Sequence, residues 1–106
     1  MESPHVYIPD INVPALEAPK DSVISKILLK NDFLEVTLFA FAAGQGLSEH
    51  TSAFPAIIEI LDGKGSMTLG AKEVQIKTGT WIYMEPGLAH SLKADTPLKM
   101  LLTLRK

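Results

Sequence analysis

The sequence has 106 residues, 46% of them apolar and 21% charged, with a formal charge of −2 at pH 7. That length holds one small domain with a core of its own, and the composition excludes a disordered or fibrous chain. Near-balanced charge without a block of either sign excludes a nucleic-acid binder, and the absence of Cys excludes disulfides, thiolate metal sites and cysteine nucleophiles and agrees with a reducing compartment.

Four of the seven prolines, Pro4, Pro9, Pro14 and Pro19, open the chain, whereas all seven glycines lie from Gly44 onward. Proline fixes φ and lacks an N–H, so residues 1–21 are expected to form an extended arm with at most an edge strand at Val6-Tyr7-Ile8. Such an arm would lie across the body or a neighbour. Met1 to Pro19 has neither the basic start nor the apolar stretch of a signal peptide, and no apolar run approaches the roughly 18 residues of a membrane span. A soluble, cytoplasmic protein that does not engage membranes is expected.

From residue 22 to 106 the pattern is one of short β-rich runs separated by turn residues, with no sustained apolar repeat at helical spacing. Strands are expected at Val23–Leu29, Phe33–Phe41, Ala56–Leu61, Ser66–Leu69, Glu73–Lys77, Trp81–Met84, His90–Ala94 and Leu98–Leu104. Asn31-Asp32, Asp62-Gly63, Gly70-Ala71, Thr78-Gly79, Pro86-Gly87 and Asp95-Thr96-Pro97 punctuate them. This predicts an all-β sandwich or barrel. In Phe33–Phe41, Leu34, Val36, Leu38 and Ala40 share one face while Phe33, Phe39 and Phe41 load the other, so something must pack outside the barrel wall as well as inside.

His50 and His90 each follow a glycine-containing turn, Gly44-Gln-Gly46 in one case and Pro86-Gly87 in the other. Strands remote in sequence can bring two such imidazoles to one point inside a barrel. The segment from Gly44 through His50, Ser52 and Ala56 to Gly63 resembles the first motif of the cupin family. Gly79 through Pro86, Gly87 and His90 to Ala94 resembles the second. The resemblance spans roughly Ser22 to Leu104 and implies a double-stranded β-helix, or jelly-roll, of the RmlC-like small cupin type.

Metal-binding cupins use two histidines and a glutamate of the first motif and one histidine of the second. Here those positions read His50, Ser52, Ala56 and His90, so the carboxylate is gone and half the ligand set remains. Glu49 and Glu59 have the wrong alternation parity to replace it, and Glu85 sits on a turn. The resemblance therefore implies at most a weakly held divalent ion, Zn, Fe, Mn or Ni, on His50 and His90. Free of metal, the two imidazoles are candidate acid and base groups.

The expected pocket lining is Ser52, Phe54, Ile58, Ile60, Ile82, Met84 and Met100. This is a mostly apolar site with the histidines as its polar points, suited to a small organic ligand. The alternative is a metal-dependent dioxygenase or isomerase using His50 and His90 with water or an unusual third ligand. Trp81 and Tyr83 have the parity opposite to Ile82 and Met84, which places them beneath the arm or against a second subunit. The resemblance implies a homodimer, since small cupins commonly dimerise, and a Pro-rich arm with Tyr7 and Ile8 would suit strand exchange between sheets.

Overall fold

The alternation that begins at Val23 is realised as nine antiparallel strands, and the computed structural model describes residues 4–12 and 16–106. They are β1 (Val23–Lys30), β2 (Leu34–Phe41), β3 (Gly46–His50), β4 (Ala56–Asp62), β5 (Lys64–Leu69), β6 (Lys72–Lys77), β7 (Trp81–Met84), β8 (His90–Ala94) and β9 (Leu98–Arg105). Eight of these match the expected runs. β3 does not, because Gly44-Gln45-Gly46 reads as a turn and Ser48-Glu49-His50 carries no apolar residue.

Two sheets result, a five-stranded one in the order β1-β2-β9-β4-β7 and a four-stranded one in the order β3-β8-β5-β6. Short connections close the hairpins. Between β1 and β2, Asn31 Oδ1 accepts hydrogen bonds from the N–H groups of Phe33 and Leu34, both at 2.8 Å, which locks the reversal. Between β4 and β5, Gly63 has φ +98°, and a Cβ there would lie 2.2 Å from the carbonyl oxygen of Pro97. Only glycine fits that corner.

The inward faces of both sheets bury one apolar core containing Phe41, Ile58, Ile60, Met67, Ile76, Met84, Leu92, Leu98 and Met100. Their tight burial fills the barrel with side chains. Leu38 and Ala40 are just as buried, at 1% and 2% exposure, yet stand outside this cluster on the outer face of β2. Beside Ala40 runs the N-terminal arm, whose Leu16 and Ala18 line one cavity together with Ala40, Phe41 and Ala42. The two loaded faces of this strand thus have two different partners.

Val6-Tyr7-Ile8 forms no strand, and Val6 and Tyr7 are exposed. Pro14, one of the arm prolines, lies outside the described residues. No helix of the described residues is long and apolar enough to cross a membrane.

Candidate functional site

His90 opens β8, the strand between β3 and β5 in the four-stranded sheet, and pairs across β3 with His50. The register shifts between Leu47 and His50, so β3 carries one residue more than the stretch of β8 it faces. Period-two alternation would send Leu47 and His50 to opposite faces. The bulge cancels that, and both residues line the same small cavity with His90.

The two imidazoles are in contact, with ring centroids 4.3 Å apart and planes inclined by 59°. Each is anchored by the same local bond. Nδ1 of His50 donates to the carbonyl oxygen of Ser48 at 2.7 Å, and Nδ1 of His90 donates to that of Leu88 at 2.8 Å. A carbonyl can only accept, so each Nδ1 carries a proton, and a ring that is neutral then presents Nε2 as a lone pair. His90 is only 7% exposed, yet no buried side-chain nitrogen or oxygen among the described residues lacks a partner, so its unpaired Nε2 keeps some accessible surface. His50 stands at the rim, exposed.

The cavity between them measures about 30 Å³ and is walled by Leu47, Ile58, Met67, Leu92, Met100 and Leu102. That is about the volume one water occupies in the liquid, far below the roughly 300–1,000 Å³ of a ligand pocket. Ile58 and Met100 stand where the sequence places them, lining the cavity with both histidines. The other five expected lining residues are elsewhere. Ile60 and Met84 are buried in the core, Ile82 packs against it, and Phe54 is 40% exposed on the loop after β3. Ser52 turns back on its own loop, its Oγ donating to the carbonyl oxygen of Phe54 and accepting from the Phe54 N–H.

Leu92 and Leu102 follow from alternation with His90 and Met100. Leu47 does not, since only the bulge brings it to the inner face.

The donor set falls short of a resident metal. Ala56 replaces the carboxylate, and its cross-strand neighbours are Met84 and Leu104, an apolar wall. Glu49 lines a groove outside the four-stranded sheet with Ser66 and Lys93, Glu59 lines an outer cleft with Trp81, and Glu85 accepts from the Tyr83 hydroxyl at 3.3 Å. Among the described residues no three metal-ligating side chains of the His, Cys, Asp or Glu types come together. Two imidazoles with no anionic ligand and an apolar wall do not fit the three-ligand shells that hold catalytic zinc.

The Cupin domain family pattern matches residues 37–104 of the chain. A conserved protein of unknown function from Streptococcus pyogenes superposes with a TM-score of 0.84 at 27% identity, covering 96% of this chain and 89% of its own. A cupin 2 conserved barrel domain protein from Leptotrichia buccalis gives 0.81 at 28% identity, covering 89% of this chain and 46% of its own. A DMSP lyase from Ruegeria pomeroyi gives 0.75 at 20% identity, covering 81% and 48%, a likeness of fold alone. No curated protein matches the sequence.

Proposed function

Since the chain belongs to the cupin domain family, we propose that it is a ligand-binding cupin in which His50 and His90 grip a hydrogen-bond donor of a small organic molecule at the barrel mouth. The observation that carries this reading is the pair of Nδ1-to-carbonyl bonds, which leaves Nε2 free on each of two rings whose centroids are 4.3 Å apart. Two neighbouring acceptors suit a hydroxyl or an ammonium group. They do not suit a carboxylate while the rings are neutral.

A cavity of about 30 Å³ admits only that one group, so the rest of the molecule stays outside, against the exposed His50 and Phe54. The loop carrying Phe54 is tied to the turn before β8 by the Gly87 N–H donating to the carbonyl oxygen of Ser52 at 2.8 Å. That bond holds the two sides of the mouth at a fixed spacing.

The same free Nε2 pair favours a second reading, in which His50 and His90 weakly hold a divalent ion, Zn, Fe, Mn or Ni, whose remaining positions belong to water or substrate. The family includes enzymes and proteins of unknown activity alike, and fold does not choose between them.

The test is a thermal-shift screen of polyols and amines, run beside elemental analysis of untagged protein, on the wild type and on His50→Ala and His90→Ala. The binding reading expects hits whose affinity falls roughly three- to tenfold in either variant, the worth of one hydrogen bond at about 0.5–1.5 kcal/mol. A near-stoichiometric metal that vanishes in His50→Ala moves the assignment to the second reading. Hits that ignore both substitutions overturn both.

A further inference from the structure

Not all of the outer face of the five-stranded sheet is covered. At β7, the edge strand, Trp81 is 58% and Tyr83 45% exposed, so neither is covered by the described part of the arm, the first of the two places the sequence allows them. Where the arm does run beside the barrel, a cavity of about 570 Å³ lies between Leu16 and Ala18 on one side and Ala40, Ala42 and Leu98 on the other. That volume falls within the usual range of a small-molecule site. The cavity is also remote from the histidine pair, since Ala42 and Ala43, which line it, precede β3, whereas His50 closes that strand.

The walls of this cavity are apolar and its rim is charged. The register shift between Ile60 and Asp62 gives β4 one residue more than the stretch of β9 it faces. It sets Asp62 opposite Lys99, which in turn stands opposite Ala40 on β2. Opposite charges so placed commonly join across a sheet. Asp62 and Lys99 do not, the salt bridges among the described residues being Lys30–Glu35 and Lys106–Glu35. Both line the cavity, and Glu17, Lys20 and Asp21 line it from the arm. The Ser22 N–H and Oγ both donate to the carbonyl oxygen of Pro19, and the Ala42 N–H donates to that of Ser22, which fixes this side of the rim against β2. Three carboxylates and two ammonium groups, none in an ion pair with another, thus surround one apolar hollow.

We infer that this cavity is a second binding site, for a small zwitterion with an apolar side chain, an α-amino acid of the leucine kind. Its ammonium group meets the carboxylates, its carboxylate meets Lys20 and Lys99, and its side chain fills the hollow between arm and barrel. A ligand carrying charge of one sign alone would satisfy one set of these groups and be repelled by the other.

The test is isothermal titration calorimetry of the full chain with L-leucine as the probe. Saturable binding is expected. Isoamylamine, which lacks the carboxylate, and 4-methylpentanoate, which lacks the ammonium group, should each bind roughly tenfold more weakly or worse, the worth of a charge-assisted hydrogen bond. Lys99→Met and Asp62→Asn should each weaken leucine binding about three- to tenfold. Ala18→Phe, which fills the hollow from the arm, should abolish it without lowering the melting temperature. His50→Ala should leave it unchanged. No binding of leucine at about 10 mM overturns the inference, as does equal affinity for either singly charged analogue, or binding that ignores Ala18→Phe. Leucine binding lost in His50→Ala and kept in Ala18→Phe overturns it too, by placing the ligand at the barrel mouth, where the first reading of the histidine pair would still hold.

Discussion

Tyr83 shows how a single side chain reports its surroundings. Partial burial, the negative charge of Glu85 and the hydrogen bond to that carboxylate all push its phenol above the ordinary tyrosine value, against a smaller opposing pull from Arg105. A folded-state value raised in this way favours the protonated, folded protein. The contribution is whole below the unfolded value near 10 and is lost as pH climbs through the folded one. In a Tyr7→Phe background, where Tyr83 is the last tyrosine, phenolate absorbance should rise at higher pH than in a free tyrosine, and Glu85→Gln should bring the transition down. His50 and His90 were legible in the sequence at this scale, since motif position alone pairs them. The turning of Ser52 Oγ onto Phe54 was not, because a two-residue loop bond competes with the pocket for that hydroxyl and leaves no trace in the residue pattern.

Among the elements, β3 is the one that decides the site. Gly46 pairs with Lys93 so closely that a Cβ would lie 1.9 Å from the carbonyl oxygen of Leu92. Gly46→Ala must push β3 away from β8 and should cost about 1–3 kcal/mol, the usual penalty of overpacking, measurable by denaturant unfolding. Because His50 and His90 face each other across these same two strands, the variant should also weaken any ligand of the pair. The long runs such as β2 and β9 are readable because each loads an inward face with large apolar residues. β3 has one such residue, Leu47, and its bulge breaks the alternation that would have revealed it.

In the whole molecule the arm is a third layer. Leu38 is 1% exposed although it lies outside the barrel core, so Leu38→Ala should cost about 2–5 kcal/mol, as for a core leucine. Leu16→Asp in the arm should loosen the cover beside Ala40, and apolar dye binding would reveal the uncovered face. The sequence predicted this layer from the two loaded faces of one strand, although the amount of apolar surface it leaves bare at Trp81 could not be read without the register. A different consequence follows from the position of β9. It lies in the middle of the five-stranded sheet, between β2 and β4, yet it comes last in chain order among the strands described for that sheet. During synthesis β1 and β2 can form a hairpin and β4 can meet β7, but the two halves have no common partner until residues 98–105 leave the ribosome. Until then Leu38 and Phe41, on opposite faces of β2, both await a sheet to complete, and transiently bare apolar surface of this kind beside an open strand edge favours aggregation.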